Sequence, residues 1–271
     1  MTGRILDVTE HCCRNRHSLA RALGLLLGFV LLISAGCGAA RPDPAQPSGP
    51  VAAERHYLRG EELAAEGRTQ EAIDAYHRAI RAAPDFTVAY YDLGNQYARL
   101  GRFDAAIEAY KRAIRKDSSF VKAYNNLGLA YSANGEPEKA VVVLRRATGV
   151  APRYAKAWNN LGSAYDELGE HSKAILTFKE AIEIDPDYAD AYTNLGVAYA
   201  QLDLWDEAQD AYRRALQIDS EDVNTLFNLG QLYVETGDPG AANAQLVKLQ
   251  GLDPWKADAL KRAIARGASL R

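Results

Sequence analysis

The chain has 271 residues, with 32 Lys and Arg against 35 Asp and Glu, a formal net charge of −3, and three cysteines. This near balance excludes the strongly basic footprint of a nucleic-acid binder, and it points to no polybasic membrane patch. Residues 1–40 differ from the rest. Arg14, Arg16 and Arg21 precede an apolar run over residues 22–33, and Ser34-Ala35-Gly36-Cys37 follows. A basic segment, an apolar segment and small residues before a cut site predict an export signal over residues 1–36.

A Cys directly after Ala-Gly resembles the lipoprotein box of bacteria. That resemblance implies that Cys37 is lipidated and becomes the new N-terminus. Ser34 stands where the box usually has Leu. Gly38 follows the Cys, and a residue other than Asp there implies the outer membrane in enterobacterial lipoproteins. Two alternatives stay open: an uncleaved signal anchor over residues 19–40, long enough to span a bilayer but carrying Arg21 and four glycines, and a plain cleaved signal. Each places the remainder outside the cytoplasm. Cutting before Cys37 removes Cys12 and Cys13, so the mature chain forms no internal disulfide. It also removes four Arg and two acidic residues, which leaves a net charge of −5. Residues 41–50 are Pro-rich and predict an extended tether, within a lipidated-Cys and tether segment over 37–52.

From Ala53 the chain repeats. Leu-Gly recurs at Leu93-Gly94, Leu127-Gly128, Leu161-Gly162, Leu195-Gly196 and Leu229-Gly230, always 34 residues apart. With the Gly as position 8, the repeats are 53–86, 87–120, 121–154, 155–188, 189–222 and 223–253, and residues 254–271 form a terminal cap. Positions 4, 7, 8 and 11 have the spacing of one helix face, and so do positions 20, 24 and 27 of a second helix. Position 20 is Ala in all six repeats, and rings or Leu fill position 24: Tyr76, Tyr110, Leu144, Phe178, Tyr212, Leu246. Gly at 8 opposite Ala at 20 predicts close backbone approach. Gly67, Gly101, Gly135, Gly169 and Gly237 predict left-handed helix ends, with Asp203 as the exception. Pro84, Pro152, Pro186 and Pro254 stop the second helix. In the cap, Trp255, Leu260 and Ile264 are expected to cover the last repeat while Lys256, Lys261 and Arg262 face water.

These positions resemble the tetratricopeptide repeat over residues 53–254. The resemblance implies an all-α, right-handed superhelical solenoid of six helix-turn-helix repeats with a C-terminal capping helix. Arg59 at position 7 and Gln250 at position 28 depart from the pattern, both in end repeats, where one face lacks a neighbour. The resemblance also implies that the first helix of each repeat lines a concave wall, with positions 2, 5, 6, 9, 12 and 13 facing the groove. Position 6 reads Asp92, Asn126, Asn160, Asn194 and Asn228. Each Asn offers an acceptor and two donors to an extended peptide backbone. Asn125 and Asn159 at position 5, Lys122 and Lys156 at position 2, and the rings Tyr57, Tyr91 and Phe227 complete the candidate peptide-binding groove. Asn at position 6 is also common in the repeat family as a merely tolerated exposed residue. The attached expectation is that Asn160→Ala with Asn194→Ala weakens partner binding without lowering the melting temperature.

No catalytic motif or nucleotide-binding loop is present in the sequence, and His56, His77 and His171 share no metal-ligand spacing. The expected function is therefore a non-catalytic scaffold with no cofactor, no metal and no small-molecule substrate. Its expected partners are a protein or extended peptide segment, and the membrane through the N-terminal lipid or signal anchor. The layout is similar to the lipoproteins that assist the type IV pilus secretin. Adaptors of peptidoglycan hydrolases and self-assembling repeat proteins are the alternatives. The expected location is the periplasmic face of the cell envelope, as an outer-membrane lipoprotein.

Overall fold

A computed structural model describes residues 49–269. The proposed signal, Cys37 and most of the tether lie outside the described residues. Within them the chain is helical throughout. Six hairpins follow one another: α1 (Pro50–Ala65) with α2 (Thr69–Ala82), α3 (Thr87–Arg99) with α4 (Phe103–Lys116), α5 (Val121–Ala133) with α6 (Pro137–Val150), α7 (Ala155–Glu167) with α8 (His171–Ile184), α9 (Ala189–Ala200) with α10 (Trp205–Ile218), and α11 (Val223–Thr236) with α12 (Pro239–Leu252). The last helix, α13 (Pro254–Ser269), packs on α11 and α12.

Each second helix packs on its own first helix and on the first helix of the next repeat. The first helices also touch one another in series, α3 on α5, α5 on α7, α7 on α9 and α9 on α11, and no such series joins the second helices. The stack is therefore tighter on the side of the first helices, which makes that side the inner wall.

The turns follow from backbone chemistry. At each first-helix end a residue at positive φ lets two N–H groups fold back on orphan carbonyls. Thus Gly67 N–H donates to Ala64 O and Arg68 N–H to Leu63 O, at 3.1 and 2.8 Å, which is the Schellman arrangement. The same pair of bonds recurs in all six hairpins. In the fifth, Asp203 takes the left-handed position at φ 58° so that Leu204 N–H can reach Tyr199 O. A Cβ in that region is strained by about 1 kcal/mol or more. Asp203→Gly is expected to stabilise the protein by about 1 kcal/mol, read as a shifted urea midpoint. A loss of stability would mean that the Asp side chain supplies more than the strain removes.

Two sequence expectations change in the structure, and a third gains a partner. First, the side chain nearest to Gly at position 8 is the one at position 24. A Cβ on Gly60, Gly94, Gly162 or Gly196 would lie 2.5–2.6 Å from the ring of Tyr76, Tyr110, Phe178 or Tyr212, and one on Gly128 would meet Leu144. The glycine is required by the side chain at position 24, which lies across the first helix. In the last repeat the cap takes over this role, and Gly230 faces Leu260. Second, α1 begins at Pro50, inside the stretch read as tether. Pro is compatible there because the first helical residue has no use for its N–H. Third, α13 buries Ala257 and Leu260 and partly buries Ile264, whereas Trp255 is 86% exposed. Ala257, Leu260 and Ile264 share one stripe at i, i+3 and i+7, and Trp255 falls on the opposite side of that helix.

Candidate functional site

The inner wall is built from positions 5 and 6, and these positions hold each other. In four successive junctions the residue at position 6 bonds back to position 5 of the preceding repeat. Tyr57 Oη donates to Asp92 Oδ2 at 2.8 Å. Asn126 Nδ2 donates to Tyr91 Oη at 3.1 Å and to Asn95 Oδ1 at 2.9 Å. Asn160 Nδ2 donates to Asn125 Oδ1 at 2.8 Å, and Asn194 Nδ2 to Asn159 Oδ1 at 2.9 Å. Within a repeat, Asn125 Nδ2 donates to Asn126 Oδ1 at 3.2 Å, and Asn159 Nδ2 reaches Asn160 Oδ1 at 3.5 Å. Asn95, at position 9, also donates to Asp92 Oδ1 at 3.1 Å and accepts from Tyr110 Oη at 2.8 Å. A continuous polar seam thus runs from Tyr57 to Asn194.

The seam changes how the candidate residues are to be read. Asn125 and Asn159 are 5% exposed and turn toward the neighbouring repeat instead of the groove. Asn126, Asn160 and Asn194 are partly buried and spend amide donors on the preceding repeat. The Asn160→Ala, Asn194→Ala variant is therefore expected to lose two cross-repeat bonds and leave buried Asn125 and Asn159 short of a donor. At about 1 kcal/mol per bond, a lower melting temperature replaces the sequence expectation of an unchanged one. A melting temperature equal to the parent's would show that the seam carries no stability. The row of bonds does not extend to Asn228, whose counterpart at position 5 is Thr193. Thr193 lies 2.5 Å from Thr225, hydroxyl to hydroxyl.

Toward the N-terminal end the wall is aromatic. The Tyr57 ring makes tilted contacts with Phe86 and Tyr76 at centroid distances of 5.0 and 5.8 Å, and Tyr91 repeats this with Phe120 and Tyr110 at 5.0 and 5.9 Å. Sequence reading missed Phe86 and Phe120, although both stand at position 34. Burial pushes the Tyr57 hydroxyl up from its ordinary value, and the carboxylates of Asp92 and Glu61 add to the shift. Tyr57 therefore acts as a donor. Burial also pushes Asp92 up to about 6, against the opposing hydrogen bond from Tyr57. Phe227, at the other end, is partly buried against Leu226, Leu246 and Leu260. Lys122 and Lys156 are exposed, and so are Leu58, Val88 and Leu129 beside them on the wall.

This geometry defines a helical-repeat protein with an open, continuous inner wall. A family model described as the cilia and flagella-associated protein 70 C-terminal domain matches residues 88–254, and the tetratricopeptide repeat model matches residues 53–86. The chain belongs to the tetratricopeptide repeat family. Among solved structures it is similar to MamA, with 34% identity and a TM-score of 0.55 over 59% of this chain and 94% of that one. It is also similar to PilF of Pseudomonas aeruginosa, with 18% identity and a TM-score of 0.65 over 78% of this chain and 97% of that one. PilW, described as a widely conserved type IV pilus biogenesis factor, gives 16% identity and a TM-score of 0.70 over 78% and 99%. The last two share the fold alone. Compared with curated proteins, the sequence has no significant match. No helix among the described residues is long and apolar enough to cross a membrane.

Proposed function

We propose that the protein is a non-catalytic scaffold that holds an extended segment of another protein along its inner wall. We propose further that lipid on Cys37 tethers it at the periplasmic face of the outer membrane. The carrying observation is the division of labour on the wall. Tyr57, Tyr91, Asp92, Asn125, Asn126, Asn159, Asn160 and Asn194 are committed to the seam, while Leu58, Val88, Leu129, Lys122 and Lys156 present an exposed apolar and cationic surface beside it. An extended chain offers apolar side chains and backbone carbonyls to such a surface, and stacked repeats of this kind form an extended concave face for it. The fold shared with PilF and PilW favours an envelope complex, the type IV pilus secretin, as the assembly served. Fold alone is an analogy, so the partner has to be read directly.

The test is an envelope pull-down from cells carrying the full chain, its Cys37→Ser variant, and a Lys122→Glu, Lys156→Glu variant, read by mass spectrometry. A secretin or other pilus protein is expected to dominate. Its recovery in the outer-membrane fraction is expected to fall with Cys37→Ser, and its capture with the double Glu variant. Capture of peptidoglycan hydrolases in place of pilus proteins overturns the secretin assignment. Capture that is indifferent to the double variant overturns the inner wall as the binding surface.

A further inference from the structure

The C-terminal halves of the second helices change sign along the stack. Position 26 is Arg78, Arg112 and Arg146 in the first three repeats and Glu180 in the fourth. Position 29 is Arg81 and Arg115 in the first two repeats and Glu183 in the fourth. Positions 26 and 29 stand at i and i+3, so they share one helix face. All five arginines are exposed, and among the described residues none of their side chains makes a hydrogen bond or an ion pair. Other cations on the second helices do find partners. Lys111 pairs with Glu108 at 3.0 Å, Lys173 with Glu170 at 2.6 Å, and Arg214 in the fifth repeat with Gln217 at 2.9 Å. Asp85, in the turn after α2, is likewise taken by Lys116. The arginines of neighbouring helices act on one region. Burial lowers His77 from its ordinary value, and the charges of Arg81 on the same helix and Arg112 on α4 lower it further, against Asp74. The near-balanced total charge, which points to no polybasic membrane patch, averages over this segregation.

We infer that this arginine row is a docking face for the phosphate headgroups of an anionic phospholipid leaflet. Like charges held side by side repel one another, and a counter-charge from outside relieves that repulsion. Guanidinium matches phosphate with a planar fork of donors and stays charged at any ordinary pH. Anionic headgroups attract cations held within a Debye length of their surface. The place where the chain enters the fold favours a leaflet over a soluble polyanion. Gly49 N–H donates to Ala82 O at 3.1 Å, so the N-terminal segment joins the stack at the end of α2, beside Arg81. Cys37 lies twelve residues before Gly49, a reach of at most about 40 Å when fully extended. A lipid on Cys37, or a signal anchor over residues 19–40, brings headgroups within that reach of α2. The inference rests on this N-terminal attachment and not on the identity of the groove partner. It also sets an orientation. The first three repeats lie outer side down, while Glu180, Glu183, Asp185 and Asp187 of the fourth are repelled, so the stack leans away from the leaflet there. The inner wall is built by the first helices, away from the row, and stays open to a partner.

Arginine labelling of the full chain reconstituted into vesicles tests it. The vesicles are phosphatidylcholine alone or phosphatidylcholine with phosphatidylglycerol, and phenylglyoxal adducts are read by mass spectrometry. Labelling of Arg78, Arg112 and Arg146 is expected to fall several-fold when phosphatidylglycerol is present and to return at high salt, while Arg213 in the fifth repeat is unchanged. An Arg112→Gln, Arg115→Gln, Arg146→Gln variant is expected to lose most of the protection at Arg78 with an unchanged helical circular dichroism signal. Equal labelling in the two kinds of vesicle overturns the proposal. So does protection that extends equally to Arg213, or protection at Arg78 that the triple variant leaves intact. Protection by soluble polyphosphate with none from the anionic vesicles assigns the row to a soluble polyanion and overturns the leaflet. The mass of the purified chain reports separately whether Cys37 carries lipid, so failure of that reading is distinguishable from failure of this one.

Discussion

Asp92→Asn is expected to raise the melting temperature at pH 7.5 and to leave it nearly unchanged near pH 4. Asp92 is partly buried on the inner wall, where Asn occupies the same position in the four repeats that follow. Its neighbours in hydrogen-bond reach are the neutral Tyr57 and Asn95, and burial holds its carboxyl at about 6 against an ordinary 3.8. The folded state thus retains the proton longer than the unfolded state. Stability from this group is full below about pH 4 and is lost as pH rises through about 6. Two pKa units correspond to about 3 kcal/mol at the limit. Partial exposure reduces this, so a gain of roughly 1–2 kcal/mol, or a few degrees, is expected from the amide. The geometry accepts the change, because an amide at 92 can donate to Tyr57 Oη as Asn126 donates to Tyr91 Oη, while Tyr57 donates to Glu61 at 3.1 Å. Burial lowers His77 from its ordinary value, which favours the fold at higher pH. That contribution is common to parent and variant and cancels in the difference. Thermal melts of both proteins at pH 4.5, 6 and 7.5 give the comparison. A pH-independent gap would show that charge on Asp92 is not its cause.

Gly162→Ala is expected to destabilise the protein by about 2–3 kcal/mol, although Ala is the better helix former by about 1 kcal/mol. The added Cβ would stand 2.5 and 2.6 Å from Cε1 and Cδ1 of Phe178, a ring that is 1% exposed and has no room to retreat. Gly149→Ala in α6 makes the contrast. Nothing lies within 4 Å of a Cβ there, so helix propensity acts alone and a gain of about 0.5–1 kcal/mol is expected. Urea denaturation of the two variants beside the parent measures both. Equal effects of one sign would mean that position 8 is held by the helix itself and not by the residue at position 24. Each repeat leans mainly on its neighbours. The loss is therefore expected to fall most strongly on hydrogen exchange in α7 to α10, with less effect in α1 and α2.

The sequence by itself determined the number of repeats, the paired helices, the alanine at position 20, and the left-handed glycine that ends five of the six first helices. All of these follow from the spacing of residues along one chain and from backbone sterics, which act within a few residues. It also pointed to positions 5 and 6 of the inner wall as a row. Only the tertiary structure decided what that row does. Tyr57 and Asp92, or Asn125 and Asn160, are 35 residues apart. Whether they face one another or a ligand depends on how far each first helix is rotated and shifted against the next, which the period leaves open. Tertiary packing also laid Phe178 against Gly162, and it turned Trp255 outward while Leu260 went in. A period along the chain fixes which residues share a helix face. The direction that face takes is fixed by the packing of neighbouring helices, because large side chains at the contact choose the crossing geometry at which they fit.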